Sequence, residues 1–517
     1  MIVCCVSRNF SCKKGKKGRT PQDSHELSNM NAFEKPTNPS HWSNQYDLDR
    51  FEKSGQDTLE LLTRYLKLSH STELKFVLPS HDPNERLAMW REEMSQGPDD
   101  GNGLIRKDLM TRVLERSNHL HDPRYAGHQV AVPLPELAWI SAATAMINNG
   151  MAIDEMGPAS SPMEEAVMRS IAQFMGLGDD AAGILCHGGT LANLTALLAA
   201  RQCKSESDEW SEGTSESYAV LVSEQAHYCV DRAVRVMGWG EQGTIHVPTD
   251  DGHRIRPEAL EEAYAEAERK GLKVLSVVGS ACTTSSGAFD DLNALADFAQ
   301  SKSLWFHVDG AHGAGQIFSK RHANALSGLH RADSVAMDFH KMLGVPALCT
   351  GLFYRRSPDA YSAFSQRADY LYEQGEEDEW WNLSKRTFEC TKRMLSVAVF
   401  GIWEQHGPRL WESLVDQLVG NAQTFAATVE EREGWQLFAL PQSNIVCFRS
   451  TKWDNSLLRR LMVEHGPHYI VKTEFSGETW LRCTFQNPFT TEVISTSILT
   501  RLEALGMEWE SAQSNSQ

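Results

Sequence analysis

Between residues 183 and 354 the chain alternates short apolar runs with helical spacing, and few folds accept that rhythm. The runs at 183–186, 219–223, 274–278, 304–309, 334–337 and 351–354 have the length and composition of buried strands. Segments 191–201, 257–270 and 292–302 have the spacing of helices between them. Strand, crossover helix and strand in succession require a mostly parallel sheet covered by helices, so an α/β fold is expected. Ligands of such sheets sit beyond the carboxyl ends of the strands, and the residues there carry the functional reading.

The flanks differ. Residues 46–120 read as a helical N-terminal segment, and "PLPELAWISAATAMINNGM" as a buried helix ending near Gly150. Residues 121–400 form the expected large domain. From 401 to 517, long amphipathic helices and the short strands "NIVCFRS" and "WLRCTF" make a smaller α+β domain. Residues 1–45 read as a disordered tail, with Met30 as an alternative start. The run "MIVCC" is short for a signal-peptide core and its basic cluster follows it, so no secretory signal is expected, and a lipid anchor on Cys4 or Cys5 has only weak support.

Charge and cysteine usage narrow the class further. Asp and Glu number 68 against 50 Lys and Arg, a balance that disfavours a nucleic-acid surface. No apolar run is long enough to span a bilayer. Eleven cysteines without C-x-x-C spacing fit a reducing cytoplasm and no structural metal.

At the strand ends a set of chemically capable residues appears in order. "CHGGTLANL" opens a helix with Gly188, Gly189 and Thr190, and unpaired N–H groups there suit a phosphate. "SEQAHYC" delivers His227 and "ACTTSSGAFDDL" delivers Thr283 and Thr284. "LWFHVDGAH" ends in Asp309, with Ala311 just beyond, and "ADSVAMDFHKMLGVP" ends in His340 and Lys341. Singly each has a plainer reading: a tight turn, a capping histidine, a turn aspartate, an exposed lysine. Together they meet the needs of pyridoxal 5'-phosphate. Lys341 would anchor its aldehyde and Asp309 would keep its ring nitrogen protonated, which makes the ring an electron sink. Gly189 and Thr190 would bind the phosphate, and His227 would stack on the ring.

Those blocks resemble the signature blocks of the group II pyridoxal-phosphate-dependent amino-acid decarboxylases, the family of glutamate, cysteine sulfinate, aromatic amino-acid and 2,4-diaminobutyrate decarboxylases. The resemblance runs in matching order from residue 122 to residue 491 and includes "SSPMEEAVM" and "LRCTFQNPFTT". It implies the aspartate-aminotransferase-like fold (fold type I) and a homodimer with sites at the subunit interface. It implies decarboxylation of an L-amino acid to the amine and CO2. By the same resemblance His227, Asp309 and Lys341 are catalytic, Thr283, Ala311 and His340 join the cofactor set, and Arg482 pairs with the substrate α-carboxylate.

The chain also departs from the family pattern. His312, Gly310 and Asp338 stand where members often carry an aromatic residue, alanine and asparagine. Trp381 stands where a tyrosine on a loop is expected to return a proton after CO2 leaves, with Tyr370 and Tyr372 upstream. Without such a donor the alternative outcome is oxidative deamination to an aldehyde; a catalytically degenerate cofactor-binding homologue is another. A metal site from His307, Asp309 and His312 leaves Lys341 and the Gly-Gly-Thr helix start unexplained. The "GWGEQG" match to G-x-G-x-x-G follows a helix and precedes a strand-like run, the reverse of a dinucleotide site.

Overall fold

A computed structural model describes residues 43–79, 82–96, 108–214, 216–364 and 379–515. The expected tail up to residue 42, and Tyr370 and Tyr372, lie outside the described residues. The chain divides into two compact units, residues 1–60 with 97–107 and residues 61–96 with 108–517. The first contributes the turn Ser43–Tyr46 and the opening of helix α1 (Leu48–His70). Everything below concerns the second.

Its N-terminal part carries α2 (Pro83–Ser95), capped by the Asp82 carboxylate on the Asn84 amide, then α3 (Leu109–Glu115) and a two-residue strand β1 (Tyr125–Ala126). Next come α4 (Leu137–Ile147) and α5 (Ser160–Phe174). The expected buried helix is therefore present as α4, but only Leu137 on it is buried. Trp139, Met146 and Ile147 are 49, 67 and 56% exposed. A helix apolar all round has no polar face to indicate which neighbour covers it, and within one chain this one is buried only at Leu137.

The central sheet has seven strands: β2 (Ala182–Cys186), β3 (Tyr218–Ser223), β4 (Thr244–Val247), β5 (Lys273–Ser280), β6 (Trp305–Asp309), β7 (Ser334–Asp338) and β8 (Thr350–Tyr354). Their order is β2-β8-β7-β6-β5-β3-β4, and β8 alone runs antiparallel to its neighbours. The six strands read from the sequence are all here. Burial on both faces explains their unbroken apolar runs. Register sets the functional edge: Asp309 lies opposite Ser280 on one side and Ala336 on the other. The residues that follow β7 therefore emerge beside the carboxylate that ends β6.

A second sheet, ordered β1-β11-β12-β10-β9, contains β9 (Trp435–Leu437), β10 (Ile445–Ser450), β11 (Tyr469–Phe475) and β12 (Glu478–Thr484). Its core joins Phe425, Phe448 and Phe485 to the C-terminal helix through Ile498 and Leu502. Among the described residues no helix is long and apolar enough to cross a membrane.

Candidate active site

The helix α6 (Gly189–Lys204) starts immediately after β2, and the turn between them dictates glycine. Gly188 has φ +102°, a conformation that side chains resist. A Cβ on Gly189 would stand 3.2 Å from the Ala311 methyl and 3.3 Å from a carboxylate oxygen of Asp338. The first amides of α6 precede its intrahelical hydrogen bonds, so they face outward with the positive end of the helix dipole.

Opposite this start, Asp309 ends β6. Its Oδ1 accepts from the Ala311 amide at 3.2 Å, and its Oδ2 lies 3.8 Å from the Cys229 thiol. Burial first, then the Asp309 charge, pushes that thiol up and keeps it protonated. His227 follows β3 and its Nδ1 accepts from the Cys229 amide at 3.2 Å, which leaves the proton on Nε2. Burial lowers the His227 pKa, partly offset by Asp309, so the ring is neutral and suited to flat stacking.

Lys341 follows β7. Its Nζ lies 3.2 Å from Asp338 Oδ2. Burial alone would lower this ammonium, but Asp338 and Asp309 together outweigh it and hold the pKa above the ordinary lysine value. Beside it, His340 Nδ1 lies 2.9 Å from the Cys349 carbonyl.

These elements enclose a cavity of about 300 Å³ walled by Gly189, Thr190, His227, Asp309, Ala311 and Lys341, with His340 alongside. Two expected residues stand elsewhere. The Thr283 hydroxyl is spent inside its own turn, 2.9 Å from the Ser286 hydroxyl and accepting from the Ala288 amide, while Thr284 lines the cavity. Arg482 on β12 lies behind Thr284, donating from Nη2 to its carbonyl at 2.7 Å. It is 5% exposed, and its Nε has no partner among the described residues.

Two further wall residues are His187, which carried no signal in the sequence, and His312, which stands where the family often has an aromatic residue. His187, from the turn after β2, binds Glu389 through Nδ1. His312 donates from Nε2 to Asn444 Oδ1 at 2.6 Å, and burial holds its pKa down to about 3. The metal reading finds no support at His307. Its Nε2 donates to Asn193 Oδ1 at 2.6 Å, and its Nδ1 lies 2.8 Å from the Ser334 hydroxyl.

The residues present fit pyridoxal phosphate. A glycine-only helix start suits the phosphate, Asp309 suits the ring nitrogen, a neutral His227 suits the ring face, and Lys341 supplies the amine. Residues 83–451 match the family model of the pyridoxal-dependent decarboxylase conserved domain. The chain belongs to this family. It is 31% identical over 309 residues to the L-aspartate decarboxylase of Metarhizium robertsii, covering 59% of this chain and 62% of that protein. It is 28% identical to the aspartate 1-decarboxylase of Aliivibrio fischeri, covering 66% of each. The chain thus spans just under two thirds of those relatives. The crystal structure of mouse CSAD superposes with a TM-score of 0.79 at 24% identity, over 89% of this chain and 99% of that one, a likeness in fold. As a member of the pyridoxal-dependent decarboxylase family with the type I fold, the chain takes pyridoxal 5'-phosphate as its cofactor.

Proposed function

We propose that the chain decarboxylates an acidic L-amino acid, aspartate first among the candidates, to its amine and CO2. The observation that carries this reading is the convergence of Lys341, Asp309 and the α6 start on one cavity. When bound, the cofactor supplies an electron sink for the bond to the departing carboxylate. Lys341 holds the reacting end, and afterwards its amine is free to move protons at the substrate α-carbon. Asp309 would hold the ring nitrogen's proton, and His227 would lie against the ring face. Arg482, buried behind Thr284 with Nη2 on its carbonyl and without an anionic partner among the described residues, is the guanidinium assigned to a substrate carboxylate by the family resemblance. The acidic preference is supported by the names of the two aspartate decarboxylases above.

A panel of amino acids assayed for CO2, amine, aldehyde and oxygen uptake tests the reading. Aspartate or a close acidic analogue should give amine and CO2 in equal amounts without oxygen uptake. No CO2 from any amino acid would sink it. The aldehyde alternative rests on Trp381 standing where the family resemblance places a tyrosine. Its signature is one oxygen consumed per CO2, with aldehyde, ammonia and peroxide as products. In the same assay Asp309→Asn should retain cofactor and lose about a hundredfold or more in turnover, within the range of a lost proton-handling group. Near-normal turnover would remove Asp309 from its role.

The same proposal includes a homodimer in the cytoplasm. Every cysteine among the described residues is a free thiol, in keeping with a reducing compartment. Helix α4 exposes Trp139, Met146 and Ile147 on an apolar surface that a second copy would cover. Sedimentation should find a dimer, and Trp139→Glu with Met146→Glu should shift it to monomer. A dimer indifferent to both charges would place the interface elsewhere.

A further inference from the structure

Asp338 ends β7 directly beneath the start of α6. It is 2% exposed, and its carboxylate oxygens lie 3.3 and 3.4 Å from where a Cβ on Gly189 would stand. A carboxylate therefore stands beside the helix start that a phosphate needs. Its compensation comes from its own side of the cavity. Lys341 Nζ is 3.2 Å from Oδ2, His340 Nε2 is 3.7 Å away, and the Thr350 hydroxyl on β8 donates to Oδ1. His227 and Asp309 stand in the same cavity wall, and among the described residues no arginine lines it.

Cofactor binding changes this balance. Lys341, which would hold the cofactor aldehyde with loss of one water, could then no longer serve Asp338 alone. The phosphate arrives with up to two further negative charges. Anions that share one desolvated site oppose each other. Resting on the cofactor reading above, we infer that Asp338 is a charge brake on the phosphate end, so that this chain exchanges its cofactor with solution instead of sequestering it. Occupancy then follows cofactor supply, and Asp338 sets the concentration at which it does so.

The phosphate is the discriminating group, so paired ligands test the inference. Full-length unmodified protein, Asp338→Asn and Asp338→Ser are stripped of cofactor and titrated with pyridoxal 5'-phosphate and with pyridoxal, following bound-chromophore absorbance. Loss of one like charge at an effective dielectric near 20 exceeds a factor of ten even across about 10 Å. The affinity ratio of phosphorylated to unphosphorylated ligand should therefore rise about tenfold or more in both variants. Equal shifts for the two ligands would mean that Asp338 acts only through Lys341, and an unchanged or lower ratio would equally overturn the brake. Should neither variant fold, the unmodified protein still decides: the loaded form should lose its cofactor on dilution, and retention through prolonged dialysis overturns the inference. Failure of the cofactor reading looks different, as absence of any pyridoxyl label on Lys341 after borohydride reduction.

Discussion

Lys341→Ala is expected to abolish turnover, by about ten-thousandfold or more, because covalent anchoring and proton handling at the α-carbon vanish together. Borohydride reduction of the unmodified protein followed by peptide mapping should find the pyridoxyl mass on Lys341. The variant should show none there. The substitution has a second effect that must be kept apart from the first. Asp338 is buried and takes its nearest cation from Lys341, so removing the ammonium strands a carboxylate. Breaking one side of a buried pair typically costs about 3–5 kcal/mol. Lys341→Ala combined with Asp338→Asn should regain much of that stability and none of the turnover. Activity of the double variant above about one part in a thousand of the unmodified enzyme, roughly ten times what a ten-thousandfold loss would leave, would show that another residue anchors the cofactor. A label on a different lysine would show the same thing directly.

The sequence carried the site where chemistry and chain direction coincide. Asp309 and Lys341 end or follow strands whose apolar runs are unmistakable, so their position past the sheet edge could be read without coordinates. Thr283 and Thr284 were harder. They lie in a turn after β5, where the alternation that assigns faces on a strand no longer applies. The structure turns Thr284 toward the cavity and Thr283 inward. His187 and Glu389 meet across 202 positions of sequence, and no local pattern announces such a pair. Strand β1 is two residues long and owes its place to pairing with β11, which is a tertiary fact. Helix α4 shows the opposite limit, since its composition spoke clearly but composition does not say who covers a helix.

Lys392→Met is expected to destabilise the fold by about 3–5 kcal/mol, and the reason lies at the edge of the central sheet. Strand β2 pairs with β8 on one side and, among the described residues, has no strand on the other. Yet Leu185 on β2 is buried, and its outward amide and carbonyl need partners. Glu164 of α5 accepts from the Leu185 amide at 2.9 Å, while the Lys392 ammonium donates to both the Leu185 carbonyl and Glu164. Both charged side chains are 0% exposed. The next residue, Glu165, pairs at 3.2 Å with Arg386, so adjacent glutamates hold two points of the segment running to Lys392. A buried pair replaced whole by apolar groups is often nearly neutral. Here the double substitution Glu164→Leu with Lys392→Met should stay destabilised, because it orphans the two backbone groups of Leu185 at about 1–3 kcal/mol each. Denaturant unfolding should therefore rank unmodified protein first, with both the single and the double variants well below it. A double variant as stable as the unmodified protein would mean that the pair serves only itself. If instead the edge depends on it, the turn from β2 into Gly188 and Gly189 should loosen as well, and cofactor affinity should fall with stability.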